Sequence, residues 1–441
     1  MYRLISLIII AAVLRLGLLG SYPPFLNVDE VSIGYNAYAL LLSGRDQYQK
    51  TMPLVFQSLG DFKPPVYLYL TVPSVAVFGL TEFSVRFPSA VFSVLAVLLT
   101  YLVTYRITRR RDLALLAGPL LGLGLWAIYK KSLPKASFLV LLLLVPLLLV
   151  GGQSRIGQTL VTGDVEINTA ISQSLGRIDL SRAWLVVWSV VNRYLQYFDP
   201  SFLFFRGLDL TLNQLVDAGV AYLIELPLFV VGLITVIRRR IFPKALWWWI
   251  VISPLPASLT LNDYHPIRSL ALVLPLVIII AVGLQMAWPK FKHLILLAYL
   301  VNFVFVADYY LLHSVMQKSD YSFDPSAQIA RVALANRDKY STIVIDPDFG
   351  KDGPTIKGVP DIYLLFYGRI RPQDYWNSIT PRGFANFEFR HIDWKIEKAT
   401  LGNLLIGSTW SLPEVDIPSH QILDKVYFAN RVPAYLVVKT E

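Results

Sequence analysis

The chain has 441 residues, of which 55% are hydrophobic and 16% charged, with a mean hydropathy of +0.53. That balance is too apolar for a soluble domain of this length and marks a polytopic membrane protein. A net charge of +10 raises nucleic acid as a partner, but the Lys and Arg residues cluster beside apolar runs. That is the pattern of membrane topology and of anionic headgroups or a lipid-linked phosphate, and it excludes a nucleic-acid partner. The absence of cysteine excludes disulfides and thiolate metal sites.

In chain order, spans of adequate length and apolarity fall at 4–20, 88–106, 136–151, 219–237, 245–261, 269–287 and 293–312. The first resembles a signal peptide in length, but Ser21-Tyr22-Pro23-Pro24 offers no small-x-small cleavage site, so it is read as a retained helix. With Arg3 inside, the clusters at Arg106 and Arg109–Arg111, Lys130–Lys135, Arg238–Arg240 and Lys290–Lys292 all fall on the cytoplasmic side. The apolar stretch 64–80 would reverse that order if it crossed, which places it in the interface on the outer side. Residues 112–129 carry basic clusters at both ends with Gly and Pro inside, which predicts a re-entrant or distorted segment.

Three long pieces then lie outside: 21–87, 152–218 and everything beyond about 313. The last holds strand-like runs at 340–349, 403–410 and 433–440 with a helical pattern at 359–368, the signature of a small α/β domain. The expected division is a transmembrane domain over 1–312 and an extracytoplasmic α/β domain over 313–441. Asp346, Asp348 and Asp352 in "DPDFGKDG" form either a ligand loop or ordinary turn chemistry, and Asp, Pro and Gly are what tight turns select. No Walker loop or GxGxxG is present, which excludes a nucleotide cofactor bound in that way.

The first outer piece carries the densest chemistry. Asp29 or Glu30 can act as a general base on a hydroxyl or amine acceptor, a role that partial desolvation of a carboxylate favours. The competing reading is structural: Asn27 as N-cap with Glu30 three residues on is a capping-box variant. Asp61 beside Lys63 sets an oxygen ligand next to a phosphate-seeking cation, followed by two prolines. His265 and Arg268 in "NDYHPIRS" fit a cation site and a phosphate contact, or equally a polar loop in which Pro266 starts a helix. Asp164, Glu166 and Asp179 read as a solvated loop.

The order "FLNVDEVSIGYNAYALLLSGRDQY", "GDFKPPVYLYL" and "FGLTEFSVRFPSAVFSVLAV" resembles the start of bacterial glycosyltransferases related to protein O-mannosyltransferases and lipid A aminoarabinose transferases. "YFDPSFLFFRG", "GVAYLIELPLFVVGL" and "HPIRSLALVLPLVIIIAVG" are similar to later parts of the same group. The resemblance implies a helical polytopic GT-C fold with a small α/β C-terminal domain. It also implies inverting transfer of a sugar from a polyprenyl-phosphate donor to a protein, lipid or glycan acceptor on the outer face of the cytoplasmic membrane. It maps a catalytic acid onto Asp29 of the Asp29-Glu30 pair, an acid-x-Lys-Pro-Pro element beside the donor phosphate onto Asp61 and Lys63, and the arginine that opens the second span onto Arg86; Arg268 as a further phosphate contact and Asp61 with His265 as a Mg, Mn or Zn site stay residue-level candidates. One departure is plain: the Ser-Arg element and following acid of that group have no counterpart between Arg111 and Lys135, as if several core helices were absent. The alternative is therefore a non-catalytic polyprenyl-phosphate-binding or assembly protein. A transporter is disfavoured because the spans hold few charges.

Overall fold

The computed structural model describes residues 2–22, 26–58, 61–108, 180–205, 220–259, 269–308, 324–350 and 353–440, with the isolated residues 111 and 115. The architecture is mostly helical with a sheet-containing C-terminal region. It divides into two compact units, Met1–Gly17 with Ala90–Tyr310, and Leu18–Ser89 with Leu311–Glu441. Both units are discontinuous in sequence, so that residues 18–89, within the expected domain 1–312, cluster with residues 311–441.

In the first unit, α1 (Tyr2–Leu16) has 15 residues, about 22 Å of helix, shorter than the roughly 30 Å of a bilayer core. Helix α4 (Glu82–Thr108) starts in the second unit and runs through the predicted 88–106 span. Helix α5 (Leu180–Gln196) was not anticipated as an element. Its Trp184, Val187, Trp188, Val191 and Leu195 are all exposed, an apolar stripe at helical spacing. The 219–237 segment becomes α6 (Glu225–Arg238). The expected span 245–261 is not one helix: α7 (Lys244–Ile252) stops before Pro254, which has no N–H to donate, and a single turn α8 (Leu255–Ser258) follows. The spans expected at 269–287 and 293–312 form one element, α9 (Leu270–Asp308), broken only at Phe291, which leaves helical geometry at φ −123° and ψ 18° just after Pro289. Segments 112–129 and 136–151 lie outside the described residues.

Among the described residues two helical stretches are long and apolar enough to cross a membrane, Glu82–Arg106 and Ala271–Phe305. Only 29% of the first stretch's apolar window is buried, unlike a soluble core helix. In the second, Leu294, Leu297, Leu300, Val301 and Phe305 are each 58–62% exposed, a surface that suits lipid and not water. Helices α6 and α9 meet backbone to backbone. A Cβ on Gly232 would sit 2.0 Å from the Ile279 carbonyl oxygen, and one on Gly283 would sit 1.8 Å from that of Leu228. Small residues at such a crossing are how apolar helices associate where no hydrophobic drive separates them from lipid.

The second unit is built on a seven-stranded mixed sheet, in order β10 (Ile422–Tyr427), β11 (Pro433–Lys439), β9 (Asn403–Ser408), β3 (Thr342–Ile345), β8 (Phe387–Phe389), β7 (Gly383–Phe384) and β6 (Ile379–Thr380), with β4 (Asp348–Phe349) and β5 (Ile356–Lys357) as a separate antiparallel pair. The expected strands appear as β3 (Thr342–Ile345), β9 (Asn403–Ser408) and β11 (Pro433–Lys439), and the expected helix as α11 (Pro360–Tyr367). β3 pairs in parallel with β9 on one side and with β8 (Phe387–Phe389) on the other. α10 (Asp324–Ala335) precedes the sheet, α12 (Pro372–Ser378) and the short β6 (Ile379–Thr380) and β7 (Gly383–Phe384) lead into β8, α13 (Trp394–Glu397) joins β8 to β9, and β10 (Ile422–Tyr427) pairs antiparallel with β11. Val344, Leu405, Leu436 and Val438 pack on one face with Ile392, Trp394 and Leu412. Ile343, Ile345, Leu404, Ile406 and Val437 pack on the other with α10 and α11.

That second core continues into residues 26–85. Leu26, Val31, Tyr35, Phe56, Leu68, Val75 and Val85 belong to the same buried cluster as Phe366 and Ile345. They come from the approach to α2 (Val28–Ser43) and α2 itself, the hairpin β1 (Phe56–Ser58) and β2 (Asp61–Lys63), α3 (Pro65–Phe78) and the start of α4. Alternate positions explain the choice: α2 turns Val31, Tyr35 and Leu40 inward while Leu41 and Leu42 face out. The apolar stretch 64–80 holds α3, which buries Leu68, Thr71, Ser74 and Val75 and exposes Val66, Leu70, Val77 and Phe78.

Two predictions follow from this packing. Gly283→Val drives side-chain atoms into the Leu228 carbonyl and lowers the stability of the helical unit by on the order of 3 kcal/mol, read as the melting temperature of the detergent-solubilised chain. In the second unit, burial raises the Asp361 carboxyl above its ordinary value, against hydrogen bonds from the backbone of Ile362 and of Asp361 itself. A carboxyl whose folded value is raised binds its proton more tightly when folded. Stability is therefore lost as pH climbs from about 4 toward the raised value and is flat beyond it. Asp361→Asn removes this loss, so its advantage in denaturation midpoint over the wild type grows with pH across that window and then levels off.

Candidate functional site

Helix α2 begins with the capping box that its sequence announces. The Glu30 N–H donates to the Asn27 side chain at 2.8 Å, and the Asn27 N–H donates back to Glu30 Oε2 at 3.1 Å. Glu30 is held a second time by Arg86, whose Nε lies 2.9 Å from Oε1 and Nη2 3.3 Å from Oε2. Arg86 is buried and also donates to the Leu19 carbonyl at 3.3 Å. The structural reading of Glu30 is thus present in the molecule, and the guanidinium assigned to donor phosphate is engaged by Glu30. A fork-to-fork pair of this kind is strong because both partners are charged and the geometry is fixed.

Asp29 stands apart from its neighbour. Its side chain is 68% exposed, and Lys63 Nζ approaches Oδ1 at 2.8 Å. The desolvation invoked from sequence to favour this acid as a base is not what the fold supplies; it supplies an ammonium partner on an open carboxylate. Lys63 itself is 8% exposed and donates to the buried Ser58 Oγ at 2.6 Å. Ser58 Oγ in turn lies 2.8 Å from Ser32 Oγ, one helical turn beyond Asp29. Asn36 extends the chain, donating to the Ser32 carbonyl at 2.9 Å and to Gln47 Oε1 at 3.2 Å.

Local sequence explains how Lys63 reaches this place. The hairpin pairs Phe56 with Lys63 and Ser58 with Asp61, so the lysine ends a strand. Pro64, extended at φ −60° and ψ 142°, stops that strand, and Pro65 opens α3 at its first position, where the missing N–H costs nothing. Asp61 has its backbone in the hairpin, but its side chain lies outside the described set, as do His265 and Arg268 entirely; the proposed cation ligands therefore have no described geometry. Asp164, Glu166, Asp179 and Asp352 also fall outside the described residues.

In the C-terminal region, Asp346 is a turn former. Its Oδ1 accepts the Asp348 N–H at 3.0 Å, and its Oδ2 accepts the Ile392 N–H at 3.0 Å and faces His391 Nδ1 at 3.1 Å. Ligand atoms of Asp346, Asp348 and His391 lie within 4.8 Å of one another, but the buried carboxylate already serves the turn. Sequence reasoning passed over two further polar features. Ser58 and Ser32, the partners that bury Lys63, carry no signal beyond residue type. Glu225 is 3% exposed and accepts from the Tyr299 hydroxyl at 2.8 Å and the Tyr222 N–H at 2.9 Å. It was legible as an acid inside the apolar run "LIELPL".

Residues 5–129 match the family model of dolichyl-phosphate-mannose-protein mannosyltransferase. The matched stretch contains the Asp29-Glu30 pair, Lys63 and Arg86, so the likeness read from the motifs holds where the site is. Searches of curated proteins and of solved structures each return no match.

The two adjacent acids differ in what their loss does to the fold. Glu30→Gln removes a charged partner of the buried Arg86 and lowers stability by about 2 kcal/mol. Asp29→Asn, at an open position, shifts stability by less than about 0.5 kcal/mol. Thermal unfolding of both variants beside the wild type checks the pair.

Proposed function

We propose that the chain is an integral-membrane glycosyltransferase that moves a sugar, in the family's manner mannose, from a polyprenyl-phosphate donor to a hydroxyl or amine acceptor with inversion at the anomeric carbon. The observation that carries this reading is the Asp29–Lys63 pair: an open carboxylate whose Oδ1 is held at 2.8 Å by a buried ammonium. In the proposed step the acceptor oxygen or nitrogen attacks the anomeric carbon and the bond from that carbon to the phosphate oxygen breaks. Asp29 takes the acceptor proton on the oxygen turned away from Lys63. The phosphate leaves with the bonding pair, and the Lys63 ammonium meets its negative charge.

Glu30 and Arg86 enter as the fixed frame of the helix, with Arg86 a proposed phosphate contact that is engaged by Glu30. Arg268 remains a proposed second phosphate contact, and Asp61 with His265 a proposed Mg, Mn or Zn site; no step here passes through the metal. The site is proposed to face outward across the cytoplasmic membrane. The basic ends of α4 at Arg106 and of α6 at Arg238 support that orientation. The acceptor is a protein, a lipid or a glycan.

The deciding experiment supplies radiolabelled polyprenyl-phosphate sugar and a membrane extract to the purified full chain. Transfer is expected from the wild type and reduced by about a hundredfold or more in Asp29→Asn, with donor binding retained. Lys63→Met is expected to lose donor binding as well as turnover. Binding without turnover in the wild type would instead establish the non-catalytic polyprenyl-phosphate-binding protein. That alternative is favoured by the missing counterpart between Arg111 and Lys135.

A further inference from the structure

The acid pair stands on a helix gripped by the C-terminal region, and one contact falls at its first turn. The Tyr363 hydroxyl, fully buried on α11, donates to the Leu26 carbonyl at 3.0 Å. Leu26 directly precedes the Asn27 cap and lies three residues before Asp29. Farther along, the Tyr35 hydroxyl donates to the Ile370 carbonyl at 3.2 Å and Trp376 Nε1 to the Gln47 carbonyl at 3.0 Å. Between them a Cβ on Gly34 would lie 2.6 Å from both Phe366 Cε2 and Val85 Cγ2, so the helix is seated without slack.

We propose that Tyr363, more than 300 residues away in sequence, is a positioning residue for the transfer reaction. Its hydroxyl fixes the Leu26–Asn27 entry to α2 and so fixes where Asp29 presents its carboxylate beside Lys63. The C-terminal α/β region is then part of the catalytic apparatus through this tether and not an appended module. The role in catalysis rests on the reading of Asp29 given above, while the tether itself rests on geometry alone.

The test compares Tyr363→Phe with the full-length wild type, because the ring keeps its packing and only the donor is lost. Tyr435→Phe is the control: it removes another buried hydroxyl, one that donates to the Asp346 carbonyl at 3.3 Å within the sheet region. Amide hydrogen exchange of residues 26–33 in Tyr363→Phe is expected to be about fivefold faster, the size of one net hydrogen bond. The same variant should lose about fivefold or more in kcat with the donor KM unchanged. Tyr435→Phe should leave both at wild-type values. Unchanged exchange at 26–33, unchanged kcat despite faster exchange, or an equal loss in Tyr435→Phe would each overturn the proposal. A wild type that transfers no sugar would sink the reading of Asp29 instead, and the exchange result would still decide the tether.

Discussion

The arrangement of this site depends on one close fit, the seat of α2 at Gly34 between Phe366 and Val85. Residues 18–89 supply two helices, the start of a third and a hairpin with three-residue strands, too little to enclose a core of their own. Their apolar sides are instead buried in the cluster that holds Ile343, Ile345 and Leu404 of the sheet. A side chain at position 34 would push the helix off that surface, and every residue it carries, Asp29 included, would move with it. The absence of a Cβ is what lets a short N-terminal segment borrow a core from the other end of the chain.

Once the helix is seated, the polar residues on its first turn have little freedom. Burying a lysine or an arginine costs several kcal/mol unless each finds an opposite charge and further hydrogen bonds. Lys63 meets Asp29 and Ser58, while Arg86 meets Glu30 and the Leu19 carbonyl. The two adjacent acids are thereby given different work. Glu30 is enclosed by cap and guanidinium and serves the fold. Asp29 keeps most of its surface open while its Oδ1 meets the lysine.

The helical unit obeys the chemistry of a different solvent. The far half of α9 shows large apolar side chains outward, and α6 and α9 approach through Gly232 and Gly283 because lipid gives no reason for leucines to prefer one another. Glu225 tolerates this environment by accepting from the Tyr299 hydroxyl and the Tyr222 N–H. Proline decides where helices stop: Pro254 divides a stretch whose hydropathy reads as continuous, while Pro289 precedes the single break in α9.

Properties that depend on neighbours in sequence were legible from the sequence alone. The apolar runs, the capping box of Asn27 and Glu30, the Pro-Pro start of α3 and the strands at β3, β9 and β11 each follow from a few adjacent side chains and the period at which they repeat. So did the likeness of the first motifs to the mannosyltransferases, since it rests on ordered short stretches. Three-dimensional placement was not legible. Hydropathy cannot tell that residues 18–89 pack with the C-terminal region, that Tyr363 caps the approach to Asp29, or that Ser58 holds Lys63. Each of these joins residues whose separation in the chain carries no periodic signal. Only the tertiary structure separates Asp29 from Glu30, because burial and ion pairing are properties of what surrounds a carboxylate, and two adjacent acids on a helix point to different surroundings.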